Sequence, residues 1–140
     1  MTENYKIIGN FIKDMSSETP DSPTYIYVGD KISKYKLNID INSKAVKDGI
    51  IEVNTIIKFS DQPEILKKAH FEITYTSIVK VDEKVSDKKE MEKIILCDVP
   101  NKIYPDLERI FLNLLTDSGY PGIKFEKKID FTELYKQRAN

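Results

Sequence analysis

Apolar and polar residues alternate in four stretches of the chain. Leu37, Ile39 and Ile41 alternate with Lys36, Asn38 and Asp40. Ile51, Val53, Thr55, Ile57 and Phe59 alternate with mostly polar partners, and Phe71, Ile73, Tyr75, Val79 and Val81 do so around Glu72 and Thr74. Nearer the N-terminus Tyr5, Ile7 and Phe11 share one parity, interrupted only by Gly9. A period of two belongs to a strand with one buried face. One-sided burial predicts antiparallel pairing, since parallel sheets are covered on both faces. The links Lys47-Asp48-Gly49 and Ser60-Asp61-Gln62-Pro63 carry turn chemistry.

The period then changes to that of a helix. Leu107, Ile110, Phe111, Leu114 and Leu115 fall at helical spacing. Pro105 stands where a helix can begin and Gly119 where one stops, which predicts a helix over Pro105–Asp117. A helical piece over Ser86–Leu96 precedes it, with a break or kink expected at Pro100 and Pro105. The charge-dense run Asp82–Lys93 reads as a solvated connection and first helical turn. Asp117–Gly122 is dense in breakers. Asp130 is an N-cap for a last short helix, with Glu133 in the capping-box position and Phe131, Leu134 and Tyr135 as its apolar face. Strands first and helices after imply an α+β layer. The length of 140 residues fits a single domain, 1–140.

Composition narrows the chemistry. With 22 basic and 23 acidic residues there is no global basic field to hold nucleic acid. No apolar run reaches the length of about 18 residues that a membrane span needs. The opening MTENYKIIGNF lacks the order of a signal peptide, so the expected location is the cytoplasm, without membrane insertion. One cysteine, Cys97, and one histidine, His70, supply neither a disulfide nor an ordinary zinc site. A Cys97–His70 nucleophile pair is conceivable. The plainer reading makes Cys97 a small core residue after Ile94, Ile95 and Leu96, and puts His70 at the polar end of a strand. No phosphate-cradling glycine pattern and no nucleophile elbow occur, so no nucleotide or other cofactor is expected and no enzyme activity.

The segment Phe11–Val28 stands apart. A strand delivers Asp14 and Glu18, the chain breaks at Pro20 and Pro23, and Tyr25, Ile26, Tyr27 and Val28 follow. Two acids four apart on a strand point the same way. They are ordinary surface acids or an acidic docking patch. The apolar run, read as part of a loop over Thr19–Asp30, either folds back on the sheet with alternate residues in and out or lines a sticky groove.

FIKDMSSETP and the later block Pro100–Gln137 resemble SecB, the family of bacterial protein-export chaperones. The later block matches the family at Pro100-Asn101-Lys102-Ile103-Tyr104-Pro105, at Gly119-Tyr120-Pro121 and at Ile129-Asp130-Phe131. The order is collinear from Phe11 to Gln137. The family is usually strongly acidic, whereas this chain is nearly neutral and lysine-rich. The resemblance implies an α+β fold, a four-stranded antiparallel sheet with a long helix and a short C-terminal helix packed on one face, in a homotetramer, a dimer of dimers with the long helices between two eight-stranded sheets. It implies an ATP-independent holdase that binds unfolded precursor polypeptides and passes them to the translocase motor SecA.

Carried onto this chain, the family's docking acids fall on Asp14, Glu18 and Glu72. A client groove between the Thr19–Asp30 and Gly119–Lys128 segments would offer Tyr25, Ile26, Tyr27, Val28, Tyr120 and Ile123. The competing reading is a SecB-like chaperone dedicated to one toxin–antitoxin partner. A small-molecule enzyme is a distant third.

Overall fold

The computed structural model describes residues 4–61, 68–125 and 129–139, with side chains through residue 137. Four strands form one antiparallel sheet: β1 (Tyr5–Glu18), β2 (Lys36–Lys47), β3 (Ile50–Ser60) and β4 (His70–Val81). Their order is β1-β4-β3-β2, so β2, β3 and β4 meander and β1 joins β4 as the far edge. The Lys47–Ile50 turn is tight, with Gly49 at φ +74°. Of the expected β3–β4 turn, Gln62 and Pro63 lie outside the described residues.

The register puts the alternating apolar residues on one face. Val53 faces Ser77, Thr55 faces Tyr75, Ile57 faces Ile73 and Phe59 faces Phe71. Leu37, Ile39 and Ile41 continue those rows on β2. In β1 the expected parity fails. Register shifts between Ile7 and Gly9 and between Ile12 and Asp14 each insert a residue. Tyr5 and Ile7 pair with Val81 and Val79 on the covered face, but Phe11 pairs with Thr76 and lies exposed on the other. A bulge swaps the faces of every residue beyond it, and Gly9 marked the place.

The chain must then cross from the β1 edge to the β2 edge. It does so through α1 (Ser22–Lys31) and a 3₁₀ turn at Ile32–Lys34, not through the loop that the prolines predict. Asp21 is the N-cap, its Oδ1 accepting from Thr24 N at 2.8 Å. Pro23 sits in the first turn, where a missing N–H costs nothing. Thr24, Val28 and Ile32, four apart, turn inward, so burial follows a helical period and not alternation.

The second half is helical almost throughout. α2 (Lys88–Lys93) runs through a π-helical turn at Ile94–Asp98 into α3 (Val99–Asp117), and α4 (Phe131–Ala139) closes the chain. The expected break at Pro100 is absent. Val99 N–H donates to Ile94 O, five residues back, and Pro100 follows where the hydrogen-bonding register changes from the π turn to α3. Pro105 lies inside α3 and does not start it. The donor it lacks would have served Asn101, and both residues are exposed, so water can take that carbonyl. Asp130 caps α4 as expected, accepting from Thr132 N at 3.0 Å and Glu133 N at 3.3 Å.

The helices cover one face only. The larger core gathers Ile57, Phe59, Phe71 and Ile73 from the sheet, Val28 from α1, and Leu107, Phe111 and Leu115 from α3. Phe59 is its hub, with Tyr35, Phe71, Phe111 and Phe125 at centroid distances of 5.4–6.3 Å. A second cluster, built on Val53, Val79, Ile94 and Val99, lies under the start of α3.

Candidate functional site

Three surfaces remain after the core is filled. The first lies where α1 meets the α3–α4 connection. Tyr25, Ile26 and Tyr27 face outward, at 43%, 69% and 39% exposure, while Val28 is fully buried. Tyr120 is also buried. It stacks edge-on to Phe71 at 5.6 Å, and its hydroxyl is 3.0 Å from that of Thr19. Tyr25 closes over it: the ring centroids are 5.3 Å apart, and the Tyr25 hydroxyl donates to Gly119 O at 2.8 Å. Ser17 and Ser118 hydroxyls meet beside it at 2.6 Å.

From that contact α1 and the connection run together toward an open cleft of about 700 Å³. Ile32, Tyr35, Leu37, Phe59, Ile123 and Phe125 line it. Burial raises the Tyr35 phenol's affinity for its proton, against a hydrogen bond that Tyr35 accepts from Ala69 N. A narrower cleft of about 230 Å³ continues along β2 beneath α4, with Ile39, Ile41, Leu134 and Tyr135 in its walls. Leu37, Ile39 and Ile41 therefore edge one apolar path beside a strand with a free side. Sequence reasoning placed Ile123 here and missed Leu37 and Phe125. The signal was that Leu37 begins the inward row of β2, at the sheet's rim.

The second surface is the uncovered face of the sheet. Asp14 pairs with Thr74, Glu18 with His70 and Glu72 with Ser16, so all three acids point to that face at one end. Glu72 is not alone there: Lys58 Nζ is 4.0 Å and His70 Nε2 3.5 Å from its Oε1. At the centre a polar network replaces apolar packing. Lys13, inserted by the second bulge, bonds Glu52 across β4 at 2.9 Å. Asn54 donates to Glu52 and to Asn42, and Thr76 donates to Asn54. The Lys13 and Asn54 hydrogen bonds hold the Glu52 carboxyl below its usual range against the opposing effect of burial.

The third surface is the β1 edge. Ile8, Phe11, Ile12 and Met15 are each between 42% and 54% exposed along a strand whose outer backbone has no neighbour in the sheet.

Among the described residues Cys97 and His70 form no nucleophile pair. Cys97 is buried between α3 and α4 beside Thr132 and Asn101, whereas His70 is at the start of β4 beside Glu72. No cluster of three His, Cys, Asp or Glu that could hold a metal occurs among the described residues. No helix among them is long and apolar enough to cross a membrane.

The family described as preprotein translocase subunit SecB matches residues 1–140. The chain belongs to the SecB family. It is 96% identical, over the full length of both chains, to a protein of Pelagibacter ubique assigned as a protein-export protein SecB. It is 26% identical to the SecB of Rhodospirillum rubrum over 95% of this chain and 81% of that one. Among solved structures it is similar to a SecB-like chaperone of Mycobacterium tuberculosis in complex with an antitoxin peptide. That similarity has a TM-score of 0.66 at 12% identity and covers 89% of this chain and 91% of the other. SecB is a family of protein-export chaperones and not of enzymes. Its name thus fits a subunit whose notable features are an apolar cleft, an acidic sheet end and an uncovered edge.

Proposed function

We propose that this SecB chain, acting as one domain over residues 1–140, is an ATP-independent holdase of the cytoplasm. It binds unfolded precursor polypeptides and delivers them to SecA. The observation that carries the reading is the apolar path from Ile123 to Ile41 beside the free edge of β2. Unfolded precursors share no sequence. They share apolar side chains and unpaired backbone, and a path of aromatic and branched residues beside an open strand meets both needs. Ile123 lines it, and in this reading the exposed Ile26 and Tyr27 of α1 add client-binding surface beside it, while Val28 and Tyr120 are buried. Release in this reading needs only a competitor and not nucleotide hydrolysis.

The working unit in this reading is a homotetramer. The apolar β1 edge calls for a second copy, which would extend the sheet to eight strands. Several clefts on one assembly then engage one long chain, and avidity adds about 10²–10⁴ in affinity. Asp14, Glu18 and Glu72 form the SecA-docking patch, on the face of the sheet opposite the client cleft. Dedication to a single antitoxin partner is the alternative. The Mycobacterium tuberculosis neighbour is bound to such a peptide. The 96% identity to an export-assigned relative favours the broader role.

The test is capture of several unrelated, unfolded precursors by the purified protein without nucleotide. Ile26→Ser with Tyr27→Ser should weaken capture about tenfold while leaving the fold intact, each side chain contributing roughly 0.5–1.5 kcal/mol. Capture of only one partner among many would favour the dedicated chaperone. Unchanged capture by the double variant would remove α1 from the groove.

A further inference from the structure

We propose that the uncovered face of the sheet meets its partner at two ends, with Lys6, Lys47 and Lys80 as a cationic anchor for an acidic segment of the protein that docks on Asp14, Glu18 and Glu72. The inference rests on the SecA-docking reading above and adds a second, oppositely charged contact to it. Lys6 pairs with Lys80 across β1 and β4, Lys80 with Ile50 across β4 and β3, and Ile50 with Lys47 across β3 and β2. Directly paired residues share a face, so the three lysines form one row on the side that no helix covers. All three are exposed, and none of the ion pairs among the described residues includes them. Like charges set directly opposite, as Lys6 and Lys80 are, destabilise a sheet. A local cost with no compensation inside the fold is expected at a functional surface.

The lysine row stands at one end of the face and the acids at the other. An open cleft of about 370 Å³ begins at the lysine end, with Lys6, Lys80 and Lys84 in its lining beside Asp82 and Glu83. Asp82 is already engaged, its Oδ1 accepting from Lys84 N–H at 2.9 Å. Between the two ends the same face carries exposed Phe11 and half-buried Ile56 and Ile78. An apolar centre with a charged rim is the anatomy of a protein interface. Glu72 and Lys80 are eight residues apart on β4, about 26 Å at roughly 3.3 Å per residue. A standard interface covers about 800 Å² on each partner, a patch about 30 Å across. One partner therefore reaches both ends, and the two opposite charges fix which way round it lies.

The test is the affinity of the purified full-length protein for SecA at low ionic strength. Lys47→Glu with Lys80→Glu leaves Lys6 in place, since Lys6 also lies on the β1 edge. The pair should weaken SecA binding about tenfold, with a shallower dependence on salt, and leave precursor capture unchanged. Lys47→Gln with Lys80→Gln should weaken it less. Lys88→Glu with Lys93→Glu, on α2, makes the same change in net charge away from this face and should leave SecA affinity unchanged. Circular dichroism and assembly mass confirm that each variant folds. Tighter SecA binding by Lys47→Glu with Lys80→Glu would mean a partner surface that is basic throughout, and would overturn the inference, as would unchanged binding. In either case a loss on Asp14→Lys with Glu72→Lys would leave the acidic docking patch standing. Loss of binding to phosphatidylglycerol vesicles, with SecA affinity unchanged, would assign the row to an anionic lipid surface and overturn the inference too. No SecA binding by the wild type would overturn both readings.

Discussion

Lys13 Nζ lies 2.9 Å from Glu52 Oε2, with the whole of β4 between the strands that carry them. The contact exists because of a defect. Lys13 is the residue inserted where the register of β1 shifts between Ile12 and Asp14, and the bulge aims it over the neighbouring strand. Glu52 is buried on a face that no helix covers, so its charge has to be met within the sheet. Lys13, Asn54, Asn42 and Thr76 meet it, and together they tie all four strands across their uncovered side. A register slip of one residue would send Glu52 into the core and break every one of these bonds.

That brace makes stability depend on pH in a known direction. The folded state holds the Glu52 carboxyl below its unfolded value near 4.5, first through the Lys13 hydrogen bond and then through Asn54. The stabilisation is therefore complete above about pH 4.5 and is lost as pH falls through the folded value. Lys13→Met should cost about 1 kcal/mol at neutral pH, since Lys13 is partly exposed and screened. The difference in melting temperature between wild type and variant should shrink when the scans are repeated below pH 4. A constant difference across that range would mean that Lys13 acts through packing.

Charge reversal on the acidic end of the sheet should separate partner docking from client capture. Asp14 and Glu72 point to the face away from the cleft. Asp14→Lys with Glu72→Lys should weaken SecA binding about tenfold or more and leave precursor affinity unchanged. Complementary charges act mainly on encounter rate and partner choice. The wild-type contact should weaken as added salt shortens a Debye length of about 8 Å. Because Lys58 already sits beside Glu72, Glu72→Lys alone also sets like charges together. Glu72→Gln is therefore the control for fold. If the double variant bound SecA normally, the docking patch would have to be sought elsewhere.

Much of this was legible in the chain. Strict alternation in β2, β3 and β4 gave their inward faces, and the 107–115 spacing gave the buried stripe of α3. Three features were not legible, each for a physical reason. A bulge changes parity without changing composition, so Phe11 read as inward. Pro20 and Pro23 look like breakers, yet Pro23 with Asp21 is also the start signal of a helix, and α1 followed. Pro100 and Pro105 read as interruptions because their cost depends on whether the orphaned carbonyl reaches water, which sequence spacing does not state. The acids Asp14, Glu18 and Glu72 share a face of the sheet. The cleft depends on Leu37 and Phe125, which only the crossover brings together.

Tyr104 offers a stabilising change. Its ring packs edge-on against Phe131 at 5.5 Å, and its buried hydroxyl has no hydrogen-bond partner among the described residues. Burial pushes its proton affinity well above that of a free phenol. An unmet buried hydroxyl costs about 1–3 kcal/mol of desolvation. Tyr104→Phe should keep the ring contact and raise stability by about 1 kcal/mol in denaturant titration. A loss of similar size would show that the hydroxyl finds a partner in the assembled protein.

The β1 edge should govern assembly. Its exposed Ile8, Phe11, Ile12 and Met15 stand on a strand whose outer edge has no neighbour in the sheet, and two copies of one edge can meet only about a two-fold axis. Antiparallel pairing centred on Ile12 would set Lys6 of one copy opposite the partner subunit's Glu18, since the two are equally far from the centre along the chain. Both residues point to the uncovered face, as their pairing with Lys80 and His70 shows. Opposite charges in a cross-strand pair contribute roughly 0.2–1 kcal/mol, and like charges cost a similar amount. The two-fold axis makes each such pair occur twice. Ile12→Glu places two carboxylates together at the centre of that pairing and should shift the sedimenting mass below that of the wild type at micromolar concentration. Lys6→Glu should weaken assembly more mildly, and adding Glu18→Lys should restore it. Restoration is the decisive result, because a variant that had merely damaged β1 would not be rescued by a second charge change at the other end of the strand. Full-mass assembly by Ile12→Glu would put the interface on another surface.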